Sequence, residues 1–181
     1  MSDIIEHKIK SLIDKGKLEN AFNLLVDTYQ EKLYWQIRNM VKIHDDADDV
    51  VQNVMIKVWN NLSSFRWDSK LNSWLFRIAY NESITFIHKE KRKVESAGGD
   101  YLLFLAEKFE SDAYYESTEM EKKFQLAIAS LPDKQREVFH LKYYEDKKYE
   151  EIVELIGGSI GGLKSNYHHA VKKIKEFIET H

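Results

Sequence analysis

The sequence predicts an all-α protein of two small helical domains, a helical bundle followed by a helix-turn-helix domain, joined by an acidic linker. Apolar residues recur at the spacing of amphipathic helices along most of the 181 residues. Seven Gly and one Pro are too few turn-forming residues for a protein of many short strands. Because the composition shifts near residue 95, we predict domains at 1–94 and 118–181 and a linker at 95–117.

The composition also excludes several classes of function. The chain has no Cys, which excludes disulfides, thiolate zinc sites and a Cys nucleophile, and favours a reducing compartment such as the cytoplasm. No apolar run approaches the roughly 20 residues that a transmembrane helix needs, so we expect no membrane insertion.

The net charge of −3 is distributed unevenly along the chain. Residues 95–131 carry 3 Lys and Arg against 8 Asp and Glu, whereas residues 1–94 carry 15 against 13 and residues 132–181 carry 9 against 9. Basic residues cluster at the end of the first segment and on the last predicted helix. Since phosphate contacts act over about 8–10 Å, such local clusters suit a nucleic-acid partner despite the net charge. The alternative is that both clusters are only solvated helix ends.

Four helices are predicted in the first domain. Residues 5–43 contain two amphipathic helices, which are separated near Gly16. The third helix has a broad apolar face between Val50 and Leu62 that includes Trp59, and the preceding Asp residues 45–49 are expected to cap it. After a polar loop at 63–70, the fourth helix runs from about 72 to 91, with Trp74 in the core.

The second domain is predicted to begin at Thr118. Thr118 and Glu121 have the spacing of a capping box, which starts a helix that runs to about Ser130. Pro132 begins the next helix, because Pro suits the first turn of a helix better than its interior. The linker before Thr118 is expected to contain one or two helical turns.

The end of the chain has the pattern of a helix-turn-helix. Helices are predicted at 134–145 and 149–156, followed by a turn at Gly157 and Gly158 and a long basic helix that Ser159 caps. The pattern by itself leaves two interpretations open, since ordinary three-helix cores have a similar pattern.

Four stretches of sequence resemble a known family. Residues 46–54 and 74–81 resemble region 2 of bacterial sigma factors, and residues 131–139 and 149–152 resemble region 4. Two such regions in this order, joined by a short linker, are similar to the extracytoplasmic-function (ECF) group of the sigma-70 family.

The resemblance implies a dissociable subunit that gives promoter specificity to RNA polymerase core. The implied partners are the coiled coil of the largest polymerase subunit, the flap of the second-largest subunit, promoter DNA and an anti-sigma factor. The resemblance implies no cofactor, no metal and no catalytic residue, because the polymerase holds the catalytic magnesium.

In the family, a helix with the pattern Asp-x-x-Gln docks on the polymerase coiled coil, and Asp49 and Gln52 match that pattern. An alternative is that the Asp residues only cap the helix. The predicted core-binding residues are Asp46, Asp48, Asp49, Gln52, Asn53 and Lys57.

The −10 promoter element is read in the family by a loop aromatic residue and a helix Asn, which Phe65 and Asn81 match. Aromatic stacking suits the capture of an unpaired base, and basic residues suit backbone contacts. The predicted −10 residues are Phe65, Arg66, Trp67, Arg77, Asn81, Lys89, Lys91, Arg92 and Lys93.

The last helix is expected to enter the major groove at the −35 element. The sequence departs from the family at Gly162, where Thr is usual, and at Asn166, where Arg is usual. Because Arg suits guanine and Asn suits adenine, we predict an A-rich −35 sequence or a weaker −35 contact. The predicted −35 residues are Ser159, Gly162, Lys164, Ser165, Asn166, His168 and Lys172.

The sequence also allows two other functions to be considered. A helix-turn-helix regulator that acts without core polymerase would explain residues 132–178 but not residues 46–93. A helical metalloenzyme would need two Glu-x-x-His pairs, and the chain offers one such pair, Glu137 and His140.

Overall fold

The computed structural model describes residues 2–112 and 118–180, so residues 113–117 of the predicted linker lie outside the described residues. The described residues form nine helices and no strand, which confirms the predicted all-α class, and the chain divides into compact units at residues 1–89 and 90–181. Within the described ranges, no helix is long and apolar enough to cross a membrane. The helices are α1 (Ser2–Asp14), α2 (Leu18–Val41), α3 (His44–Leu62), α4 (Leu71–Ser96), α5 (Tyr101–Ser111), α6 (Glu119–Ala129), α7 (Asp133–Tyr143), α8 (Tyr149–Ile156) and α9 (Ile160–Thr180).

The first unit is a helical bundle around an aliphatic core. The predicted break at Gly16 is confirmed, since Gly16 has a φ of 70° between α1 and α2, where a residue without a Cβ is favoured. Buried Gln36 on α2 donates a hydrogen bond from Nε2 to the carbonyl oxygen of Phe76 on α4, at 3.1 Å, and so fixes the two helices together. The fully buried core residues include Leu25, Ile37, Val50, Val54, Val58, Leu62, Leu71 and Leu75.

The predicted capping of α3 by its Asp cluster is wrong. The helix begins at His44, ahead of the whole Asp cluster, and its N-cap is Ile43, which makes no capping hydrogen bond through its side chain. Asp45 and Asp46 therefore lie inside the first helical turn, where negative charge interacts favourably with the helix dipole.

A stability prediction follows from Lys42, which ends α2. Lys42 has a φ of 73°, a left-handed conformation that costs a residue with a Cβ roughly 1 kcal/mol relative to Gly. Burial, and then the neighbouring Arg38 guanidinium, lowers the pKa of Lys42 from 10.5 to about 7. The unfolded chain therefore binds more protons between these pH values, so the cost of burying the amine is full below pH 7 and falls as the pH rises.

We expect Lys42→Gly to raise the Tm of the first unit by about 3 °C or more at pH 6.5, and by less at pH 9. Lys42→Met is the matched control, because it removes the amine but keeps a Cβ at the strained position. It should show the pH-dependent part of the gain and lack the constant part. An equal gain for Lys42→Gly at both pH values, measured by thermal unfolding, would mean that the amine is not the source.

The second unit begins with the end of α4 and the helix α5. The linker was expected to hold one or two helical turns, but α5 has 11 residues, or three turns. Asp100 caps it by accepting hydrogen bonds from the backbone N–H groups of Leu102 and Leu103, at 2.7 and 3.1 Å. Leu105 and Phe109 are buried, and α5 packs on α6. Apolar burial therefore stabilises α5, a helix that was not predicted because its sequence has no long apolar period.

The predicted start of α6 is confirmed, and a buried Arg shapes its end. Thr118 and Glu121 form the capping box, and hydrogen bonds from the Thr118 N–H and hydroxyl hold the pKa of Glu121 below its usual value. At the other end, the Arg136 guanidinium donates to the carbonyl oxygens of Ala129 and Leu131, and to Asp133 Oδ1 at 2.6 Å. Arg136 thereby satisfies carbonyls that the helix end leaves without partners.

The predicted helix-turn-helix geometry is present in α8 and α9. Gly157 and Gly158 form the turn with φ values of 75° and 92°. The N–H of Gly162 donates to Ser159 Oγ at 3.1 Å, which confirms Ser159 as the cap of α9. Leu163, Ala170 and Ile174 are buried on one side of α9, so its opposite side is exposed along its length.

Candidate nucleic-acid and protein interfaces

One exposed stripe on α3 contains most of the predicted core-binding residues. Asp49, Gln52 and Asn53 are exposed at spacings of three and four residues, so they lie on one helix face, and exposed Asp48 lies beside them. Asp46 is half-buried at the start of the helix. We name Asp48, Asp49, Gln52 and Asn53 the α3 face.

Two apolar side chains extend this face, and the sequence reasoning missed both. Ile56 is 59% exposed and follows Gln52 by one turn, and Trp59, expected in the core, is 40% exposed. The edge of the Trp59 ring contacts Phe22 at a centroid distance of 5.1 Å, so Trp59 covers the rim of the core and does not fill it. The sequence did contain a signal for Ile56: it is apolar, but its position does not fit the spacing of the buried apolar residues of α3, so it must face outward.

Lys57 follows Asn53 by one helical turn, and its side chain contacts α4. Its Nζ forms an ion pair with Glu82 on α4, and it lines a cavity beside the loop at 63–70. The structure therefore places Lys57 beside the predicted −10 residues Phe65, Arg66 and Arg77.

The loop at 63–70 forms one wall of a cavity of about 580 Å³, which we name the base cavity. Phe65 contacts Trp74 and Trp67 at centroid distances of 4.8 and 4.9 Å. Trp74 was expected in the core but is half-buried, because one side of its ring packs on Phe65 at the cavity. The lining residues are Lys57, Asn61, Ser64, Phe65, Arg66, Asp68, Ser69, Trp74, Arg77 and Ile78.

The other predicted −10 residues are spread along α4. Asn81 is exposed one turn beyond Arg77 and is not among the residues that line the base cavity. Lys89, Arg92 and Lys93 are exposed, and Lys91 is half-buried. Glu95 lies 3.9 Å from Lys91 and Glu90 lies 3.9 Å from Lys93, which partly offsets the positive charge of this stretch.

The exposed side of α9 carries most of the predicted −35 residues. Ser165, His168 and Lys172 recur at spacings of three and four residues and are all exposed, as are Ser159, Gly162 and Lys164. Asn166 was expected on this side but is half-buried, and it lines a cavity of about 170 Å³ with Gly158 and Gly162. Its position on the helix circumference, between the exposed and buried sides, explains the difference.

Basic residues at the start of α8 were missed by the sequence reasoning. Lys147 and Lys148 directly precede Tyr149, and the Nζ atoms of Lys142 and Lys164 each lie 5.7 Å from the centroid of the Tyr149 ring. The helix-turn-helix pattern was the available signal, since the first helix of that motif crosses the DNA backbone.

An exposed apolar patch joins α6 and α7. Met120 is 60% exposed and Tyr143 is 54% exposed, and Phe124 contacts Tyr143 at a centroid distance of 5.7 Å. Tyr143 also stacks on buried Phe139 at 5.1 Å. Aromatic and Met side chains on a surface are enriched where proteins bind each other, so this patch is a candidate protein contact.

The two Gly residues at the start of α9 give a second stability prediction. A Cβ added at Gly161 meets no atom within 4 Å, whereas a Cβ at Gly162 lies 3.2 Å from Ser159 Oγ. We expect Gly161→Ala to raise the free energy of unfolding by up to about 1 kcal/mol, because Ala loses less backbone entropy in a helix. Gly162→Ala is the matched control and should gain less in chemical denaturation, since its Cβ crowds the cap. An equal or larger gain at Gly162 would contradict this reasoning.

The described residues contain no group of three or more His, Asp or Glu side chains placed to hold a metal ion. Glu137 and His140, the pair considered for a metal, are both buried on α7, and Glu137 accepts a hydrogen bond from Lys134 at 3.1 Å. The metalloenzyme interpretation gains no support from these contacts.

Comparison with known proteins gives two family matches on this chain. The family described as Sigma-70 region 2 matches residues 25–93, and the family described as Sigma-70, region 4 matches residues 121–174. The first match includes the α3 face and the base cavity, and the second includes α8 and most of α9.

Individual relatives match nearly the whole chain. The ECF RNA polymerase sigma factor SigW of Bacillus subtilis (strain 168) is 30% identical over 97% of both chains. The ECF RNA polymerase sigma-E factor of Escherichia coli (strain K12) is 30% identical over 92% of this chain and 91% of its own. Among solved structures, the sigma factor RpoE of Bartonella quintana, crystallised with the anti-sigma factor NepR, has a TM-score of 0.63 and 26% identity, covering 87% of this chain and 96% of that one.

Proposed function

Because this chain belongs to the ECF RNA polymerase sigma factors of the sigma-70 family, we propose that each of the surfaces described above has a separate role in promoter-specific initiation. The chain is a sigma factor that directs RNA polymerase core to promoters. Sigma factors are generally non-catalytic initiation factors, and we propose that this chain has no enzymatic activity of its own and acts in the cytoplasm. The predicted domains at 1–94 and 118–181 remain predictions.

The α3 face is proposed to bind the coiled coil of the largest polymerase subunit. Its carboxylates and amides suit Arg-bearing helices, which form charge-assisted hydrogen bonds with such groups. Ile56 and Trp59 add apolar area beside them, and a central apolar contact with a polar surround is the usual arrangement of a strong interface.

The base cavity is proposed to hold an unpaired base of the −10 element, and it is the observation that carries the site proposal. Its volume of about 580 Å³ exceeds the space that one base needs, and Phe65 and Trp74 offer ring surfaces for stacking. Arg66, Arg77 and Lys57 surround these rings with positive charge that suits the flanking phosphates.

The exposed side of α9 is proposed to read the −35 element in the major groove. Ser165 and His168 are exposed in the first half of α9, and Lys172 lies one turn further along. Lys147 and Lys148 at the start of α8 are proposed to contact the DNA backbone. Because Asn166 is half-buried, we assign it a smaller share of the base contacts than the sequence suggested.

Two protein partners complete the proposal. The patch of Met120, Phe124 and Tyr143 is proposed to bind the flap of the second-largest polymerase subunit, because a flexible, apolar surface suits a short amphipathic helix. The Bartonella relative is solved as a complex with an anti-sigma factor, and we propose that this chain is also held by one.

The function is tested by run-off transcription of a genomic DNA pool with purified core polymerase and this chain. The expected result is a set of transcripts with defined start sites that core polymerase alone does not produce. Start sites that are the same with and without the chain would contradict the proposal. The alternative of a regulator that acts without core polymerase predicts that core does not co-purify with the tagged chain.

A further inference from the structure

Helix α1 contacts the loop that forms the base cavity. Lys10 Nζ lies 5.8 Å from the centroid of the Trp67 ring, a distance typical of a cation–π contact. Glu6 lies one turn earlier on α1, and its Oε2 accepts a hydrogen bond from the N–H of Leu71 at 3.3 Å, where the loop ends and α4 begins. Two side chains of one helix therefore hold the middle and the end of the loop.

Trp67 has a backbone conformation that requires such support. Its φ of 61° lies in the left-handed region, which a bulky side chain rarely adopts and keeps only where its surroundings hold it. The ring of Trp67 is held by the edge of Phe65 at 4.9 Å and by the cation of Lys10. Phe65 in turn packs on Trp74 in the base cavity, so a continuous series of contacts connects Lys10 with the cavity.

Glu6 acts on the other end of the loop. Its Oε2 binds the first N–H of a 26-residue helix, and its Oε1 is buried with no hydrogen-bond partner among the described residues. A carboxylate in this position is stabilised by the positive end of the helix dipole. The contact fixes the start of α4, and Trp74 and Arg77 lie within the next two turns.

We propose that Lys10 and Glu6 are positioning residues that hold the loop in the shape that forms the base cavity. The inference deepens the proposed −10 function and rests on it. Helix α1 precedes the region 2 match, which begins at residue 25, so the family pattern does not assign this role.

Promoter opening by the holoenzyme of core polymerase and full-length chain tests the role of Lys10. The probe is a promoter found by run-off transcription that carries the fluorescent base 2-aminopurine in its −10 element. We expect Lys10→Met to lower the opening equilibrium about fivefold, the loss of one cation–π contact. Lys10→Arg should restore opening, because Arg keeps the cation, and core affinity should not change.

Two further variants separate positioning from other effects. Lys8→Met is the matched control, because Lys8 is exposed on the same helix and carries the same charge, and it should open the promoter as the wild type does. In a Trp67→Leu background, Lys10→Met should cause no further loss. An additive loss would overturn the proposal, since Lys10 would then contact the DNA directly.

The proposal and the −10 function on which it rests fail in different ways. Normal opening by Phe65→Leu would overturn the role of the base cavity itself. Impaired opening by Phe65→Leu together with normal opening by Lys10→Met would overturn only the role of Lys10. The role of Glu6 is tested by Glu6→Ala and Glu6→Gln. Promoter opening should fall further in Glu6→Ala, because the amide oxygen of Glu6→Gln can still accept the hydrogen bond from the Leu71 N–H. Equal promoter opening by the two variants would overturn the role of Glu6.

Discussion

Asp49→Arg is expected to weaken the binding of core polymerase at least about tenfold, because an attractive charge contact becomes a repulsive one. Asp49 is exposed on the α3 face, one turn before Gln52 and Asn53. Titration of fluorescently labelled chain with core polymerase measures the affinity. The effect should diminish at high salt, since screening weakens repulsion between exposed charges.

Asp14→Arg provides the control for Asp49→Arg. Asp14 is exposed at the end of α1, and its replacement changes the net charge by the same amount. Normal core affinity is expected for this variant. If Asp14→Arg weakened binding as much as Asp49→Arg, the loss would reflect total charge and the α3 face would not be the docking surface.

Phe65→Leu is expected to lower promoter opening about fivefold or more, because stacking of a base on an aromatic ring contributes about 1–3 kcal/mol. Leu keeps an apolar side chain against Trp74 and Trp67, so the unit should stay folded. Fluorescence of 2-aminopurine in the −10 element measures opening, and core affinity measured in parallel should equal that of the wild type.

Phe65→Tyr is the matched control, since it keeps the aromatic ring on which a base would stack. It should open promoters within a few-fold of the wild type. An equal loss in Phe65→Tyr and Phe65→Leu would show that the ring is not what the DNA contacts.

The helices were predictable because their signals are local. Apolar spacing, the Thr118–Glu121 capping box and the Gly157–Gly158 turn each depend on residues within one or two turns of each other. The same holds for the α3 face, because spacings of three and four residues place Asp49, Gln52 and Asn53 on one side of a helix whatever packs behind it.

The errors occurred where packing against another helix decides the outcome. Trp59 fits the apolar series of α3, yet its ring covers the edge of the core against Phe22. Helix α5 lacks a long apolar period, and its burial against α6 stabilises it. A single-helix pattern contains no information about the distance or angle of the neighbouring helix.

The sequence by itself determined that this protein is all-α, that it carries the region 2 and region 4 patterns, and that its acidic charge is concentrated between them. These properties depend on residue order and on short spacings along one chain. Only the tertiary structure showed that Lys57 pairs with Glu82 and that Trp74 lines the base cavity. It alone placed Lys10 over Trp67, 57 positions apart in the numbering of the chain. Such contacts join residues far apart in the chain, and their geometry depends on how the helices pack.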